Sequence, residues 1–238
     1  MIDVNAQSQL RRDSQLCGSE DERLVTMREM IDSAVTGVHT VCPGIIDAFD
    51  AATMTVRVKP SIKKLFYPDG ANGVWVDLPV IVDVPLCVMS GKGYALTFPI
   101  ASGDECLLLF AERAVDNWHD QGEISEQAAK RKHSLCDAFA LVGVRSKPNV
   151  ITNYNTSEVE LRSKDAQTRI RLSDSGVHIE QGGNKIDMTS SEIALTATTV
   201  KISGKLEVTG DVTSGAISLQ HHIHPGVQTG GGVTGVPQ

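Results

Sequence analysis

The spacing of apolar residues changes along this chain, and each spacing predicts a different element. Leu24, Met27, Ile31 and Ala34 recur at helical spacing behind Ser19-Glu20-Asp21-Glu22, which has the form of a capping box. They predict a short amphipathic helix that packs on its own domain or on a neighbouring subunit. From Gly44 the period becomes two: Met54, Val56 and Val58 alternate with Thr55, Arg57 and Lys59 after a turn at Asp50-Ala51-Ala52. Val74, Val76, Leu78, Val80, Val82 and Val84 keep that alternation, with Pro79 and Pro85 marking an edge or a break. Gly91-Lys92-Gly93 turns into a strand over 94–98, and Gly103-Asp104 turns into the continuous apolar strand 106–110. After a polar, helical or looped stretch over 112–132, residues 138–144 close the domain as another strand. Five or so short strands in about a hundred residues predict a small barrel of the OB type or a compact sandwich.

From Thr168 a shorter unit repeats. The apolar pairs Ile170/Leu172, Val177/Ile179, Ile186/Met188, Ile193/Leu195, Val200/Ile202, Leu206/Val208 and Ile217/Leu219 each join residues two apart, with Gly, Asn, Asp, Ser or Thr between pairs. Each unit is one short strand with a single apolar edge, too small to bury that edge alone. Stacked neighbours or other chains must cover it. Units this short fit three chains wrapped about one axis, so the expected form is a trimeric, intertwined β-helix or β-prism. A disordered Ser/Thr-rich tail would not need this spacing.

Composition sharpens the division. Nine of the ten aromatic residues and all five cysteines precede residue 150, and no Phe, Trp, Tyr or Cys follows Asn155. The second part therefore has no ordinary globular core. No proline lies between Pro148 and Pro225, which suits a long ladder of paired strands. The expected segments are a polar and helical 1–39, an OB-like domain over 40–146, a trimeric β-helix over 147–220 and an apex over 221–238. A net charge of −7 argues against nucleic acid or anionic membrane as a non-specific partner. No run approaches the roughly 18 apolar residues of a spanning helix, and the start lacks a signal pattern, so the chain is expected to be made soluble in a cytosol. The cysteines (Cys17, Cys42, Cys87, Cys106, Cys136) form no C-x-x-C pair and are expected to be reduced and mostly buried.

Candidate chemistry collects at the end, in His221-His222-Ile223-His224-Pro225-Gly226 and the glycine-rich run after it. On a strand His222 and His224 project from one face and His221 from the other. In a trimer, three copies of each would bring six imidazole nitrogens to the axis, a set that suits iron(II) or nickel better than four-coordinate zinc. Other matches carry less. Gly230, Gly232 and Gly235 spell a dinucleotide fingerprint with no helix to follow. The carboxylates Glu112, Asp116, Asp120, Glu123 and Glu126, with His119, read as a solvated face. No hydrolase or phosphate-loop motif occurs, and no catalytic residue is assigned.

Phe98-Pro99-Ile100 with Gly103-Asp104-Glu105 and the apolar 107–110 strand, the strand repeats, and the terminal His-x-His with its glycine-rich end together resemble the central membrane-piercing spikes of contractile-tailed phage baseplates that lack a lysozyme domain. The resemblance covers about residues 40–238. It implies an OB-fold, a trimeric β-helix and an apex holding one iron ion per trimer through His222 and His224 of each chain. It also implies a homotrimer in the virion tail, made in the host cytoplasm, docked to baseplate hub and tail-tube proteins at the OB end and meeting the host outer membrane at the apex. The stretch 111–132 is longer and more acidic than a minimal barrel loop. On this reading the protein acts mechanically and is no enzyme. The alternative is a trimeric tail fibre or adhesin, which the lack of aromatic residues beyond 155 disfavours.

Overall fold

The computed structural model describes residues 23–68 and 72–223, together with Gly226, Gly230 and Gly231. It divides into two compact units, one ending at Val150 and the other beginning at Ile151.

Helix α1 spans residues 23–36; the capping box at 19–22 lies outside the described residues. Leu24, Met27 and Ile31 are 59, 58 and 57% exposed. Of the two packings expected for this stripe, on its own domain or on a neighbouring subunit, the first is not found among the described residues: the barrel core closes without a residue of α1.

That core belongs to a closed barrel of β1 (Val41–Asp50), β2 (Thr55–Pro60), β5 (Ile81–Cys87), β8 (Glu105–Phe110) and β9 (Ala138–Val142), in the order β1-β2-β5-β9-β8. All neighbours are antiparallel except β5 and β9. Closure removes the sheet edges, and the barrel rather than the sandwich is the outcome. Ile46, Val56, Val58, Val84, Cys106, Leu108, Ala138 and Ala140 fill it. Strand β8 shows how: Cys106, Leu108 and Phe110 point inward, while Leu107 and Leu109 are only half-buried on the outer face. Two hairpins leave the barrel, β3 (Lys64–Phe66) with β4 (Val74–Val76) and β6 (Met89–Gly91) with β7 (Tyr94–Leu96). The second turns through Lys92 and Gly93, both at positive φ, the conformation a two-residue hairpin turn requires.

The even alternation expected through Val80, Val82 and Val84 does not hold. Val80 and Val82 are exposed whereas Ile81 and Val84 are buried. Val56 pairs with Val84 and Val58 with Ile81, so β5 carries one extra residue, with Asp83 at φ 54. A bulge of this kind shifts the strand's facing by one residue.

Two polar clamps fix the barrel's connections. Asp137 is 1% exposed; it accepts from Arg131 Nε at 3.0 Å, Arg131 Nη2 at 2.9 Å and the Val115 amide at 3.2 Å. It ties the polar stretch, including α2 (Asp116–Gln121), onto β9. Glu105 accepts from the Ser146 amide, the Ser146 hydroxyl and Asn149 Nδ2, pinning the 3-10 turn Lys147–Asn149 to the barrel. Among the described cysteines, Cys106 is buried and its thiol is pushed up to about 11, chiefly by burial, whereas Cys136 is exposed.

The second unit is a five-stranded antiparallel meander of β10 (Val159–Arg162), β11 (Thr168–Ser173), β12 (Gly176–Gln181), β13 (Asn184–Met188) and β14 (Ile193–Thr196). A small hairpin of β15 (Thr213–Ser214) and β16 (Ile217–Ser218) follows. The first four apolar pairs of the repeat sit on β11 to β14. Val200/Ile202 and Leu206/Val208 fall in backbone without strand pairing. In a single chain those segments have no partner strand to complete a ladder.

Gly176 starts β12 where a Cβ would lie 1.9 Å from the Met188 carbonyl oxygen. Gly176→Ala must push β12 and β13 apart and is expected to cost about 1–3 kcal/mol, read as an earlier midpoint in urea unfolding of the full chain.

Candidate functional site

The meander has two unlike faces. On one, register aligns Leu161, Ile170, Ile179, Ile186 and Leu195 in a row across all five strands, and Val159, Leu172, Val177, Met188 and Ile193 in a second row beside it. Neighbouring side chains in such rows are the contacting pairs of a sheet. Little covers them: Val159 is 69% and Ile193 62% exposed.

The opposite face is a charge ladder. Arg169 Nη2 lies 2.6 Å from Glu180 Oε2, Arg171 Nη2 lies 2.7 Å from Glu180 Oε1, and Arg171 Nη1 lies 2.9 Å from Glu158 Oε2. Glu160 stands within reach of Arg162 and Arg169. These side chains are better covered than the apolar ones: Arg171 is 19% and Glu180 10% exposed. The usual distribution is inverted, since apolar area left in water costs about 25 cal/mol per Å², so the polar face is the finished surface and the apolar face the unfinished one. Ser173 and Ser175 hydroxyls both lie 3.3 Å from His178 Nε2, whose Nδ1 meets Asp187 Oδ1 at 2.7 Å. Ser173 and Ser175 also bond each other at 2.8 Å, and the group closes the β11–β12 turn. This ladder was not anticipated, although oppositely charged residues alternating with the apolar pairs are a readable signal.

Hydrogen bonds from Arg169 and Arg171 hold the Glu180 carboxyl below its ordinary value of 4.5, and Arg171 does the same for Glu158. A depressed carboxylate contributes stability that is present above its ordinary value and is lost as pH falls through the lower, folded one. Thermal unfolding is therefore expected to shift to lower temperature below about pH 4.5. Glu180→Gln should flatten that acid slope in a pH series of melting curves; an unaltered slope would mean that the ladder does not carry it.

The end of the chain is organised around β15 and β16. Gly215, at φ 60, opens their turn. Asp211 accepts from the Gln220 amide at 3.1 Å, and the Ser218 hydroxyl, then that amide, hold its carboxyl below the ordinary range. His222 follows in backbone that is not strand; its amide bonds the Ser218 carbonyl at 3.1 Å in a turn. His222 Nδ1 is 3.0 Å from the carbonyl oxygens of both Ser218 and Leu219. Carbonyls only accept, so Nδ1 donates in both contacts, and these bonds fix the orientation of the ring. His224 lies outside the described residues, as do Gly232 and Gly235. Among the described residues no group of three or more His, Cys, Asp and Glu side chains is placed to hold a metal. No described helix is long and apolar enough to cross a membrane.

Residues 42–143 match the family model described as the phage protein Gp138 N-terminal domain, which spans the barrel. Residues 216–238 match the GpV apex motif, which contains β16, His222 and His224. No curated protein matches the chain.

Proposed function

We propose, for a chain of the phage baseplate central-spike family, a mechanical function: three copies assemble through the apolar face of the meander, and the resulting rigid spike carries the force of tail contraction onto the host outer membrane. The observation that carries this reading is the pair of uncovered apolar rows, backed by an ion-paired face and leading to an apex motif. Two or three chains could hide such rows; threefold closure also gives Val200/Ile202 and Leu206/Val208 neighbours from other chains to pair with. The barrel, with its two projecting hairpins, would be the docking end toward the hub and tail tube. No substrate is turned over.

At the apex, His222 and His224 of three chains would supply six imidazoles to one iron ion. The ion would contribute a cross-link between chain ends, which otherwise fray. Within this chain, Ser218 and Leu219 orient the His222 ring through its Nδ1 proton.

Molar mass by light scattering combined with elemental analysis tests both statements. A trimer with about one iron per three chains is expected. His222→Ala with His224→Ala should remove the iron and leave the mass unchanged. A monomer, or one zinc per chain, would overturn the reading.

A further inference from the structure

Helix α1 presents a seam that its own chain leaves open. Every residue of 23–36 is exposed, and Leu24, Met27, Ile31 and Ala34 step by three, four and three. That alternation is the heptad pattern through which like helices interlock, each apolar knob entering a hole on its neighbour. Met30 and Val35 flank the seam and are 67 and 65% exposed. They widen the stripe beyond the two positions that a pair of helices buries, which favours a bundle of more than two. Glu29, Asp32 and Ser33 occupy the other side together with Val25, and Arg28 lies on the same flank as Val35.

We propose that α1 is a second interface between copies of this chain: the seam of Leu24, Met27, Ile31 and Ala34 packs against the same seam of two further copies in a parallel three-helix bundle. This rests on the homotrimer proposed above. Cyclic symmetry makes the three helices parallel. A helix this short is marginal alone in water, but chains already joined elsewhere meet at an effective concentration on the order of millimolar. Burying about four apolar side chains per helix then suffices to hold it. No residue of the barrel core is used.

Trypsin cleavage after Arg28 in the full-length protein, followed by mass spectrometry with the molar mass measured in parallel, tests this. Ile31→Asn with Ala34→Asn places amides in the seam; Asp32→Asn with Ser33→Asn places them on the opposite side as a control. The bundle requires a trimeric mass in the native protein, cleavage about tenfold faster in the seam variant, and a native rate in the control. Equal rates in native and seam variant, with the mass trimeric, would overturn the bundle and leave the spike reading standing. A monomeric native protein would overturn both.

Discussion

In the proposed trimer, Ile179→Asp with Ile186→Asp is expected to leave only monomer at micromolar concentration. The two residues face each other across β12 and β13 near the middle of the first apolar row. In three chains they would set six carboxylates around one axis, and removing each ion from water costs several kcal/mol. The single-chain sheet should survive, because its hydrogen bonds run within the chain and the substituted positions are already 40 and 38% exposed. Light scattering and circular dichroism separate the two effects. Lys185→Asp, on the charged face, should leave the mass unchanged, so a trimeric double variant would show that the apolar face is not the interface.

Asp137→Ala is expected to cost the barrel about 2–3 kcal/mol, read from urea unfolding of the full chain. Losing the carboxylate strands the Val115 amide and leaves Arg131 paired only with Asp116, at 2.5 Å. Breaking a fully buried pair costs about 3–5 kcal/mol, and the estimate is lower because Arg131 is 34% exposed and water screens its charge. Local loosening should be concentrated in 112–132, with faster amide exchange there than in β1 or β2. Asp137→Asn retains an acceptor for Val115 and should recover part of the loss. If both variants unfold with native midpoints, the clamp contributes nothing.

The apolar rows were legible because residues two apart must share a face, and turns of fixed length leave one register that keeps both rows aligned. Ile170, Ile179 and Ile186 are read from spacing alone. Barrel strand β2 was legible for the same reason, and β8 as a continuous apolar run after the Gly103-Asp104 turn. The bulge at Asp83 was not, since an extra residue at positive φ leaves no mark in a run of alternating valines and flips Val82 outward. The Glu105 clamp was equally hidden: its partners Ser146 and Asn149 lie some forty residues away, and nothing local links a strand-end carboxylate to a distant turn. At the apex, sequence selected His222 and His224 by their spacing, while the Ser218 and Leu219 carbonyls that orient His222 depend on the β15–β16 turn.

The connectivity of the two units also sets a timetable for the nascent chain. Each hairpin of the meander pairs residues close in sequence, as Ser173 with Gly176 or Gln181 with Asn184. The barrel closes only when Val41 finds Leu109 and Leu86 finds Ala140, contacts whose loop-closure entropy slows folding. Barrel strands emerge first and close through distant contacts, whereas each hairpin of the meander pairs neighbouring residues almost as it appears. On the proposed threefold assembly, the meander's apolar rows form on single chains before three copies meet. Slower synthesis at lower temperature should raise the yield of assembled protein, because collisions between such sheets in the wrong register compete with the right one in proportion to their concentration.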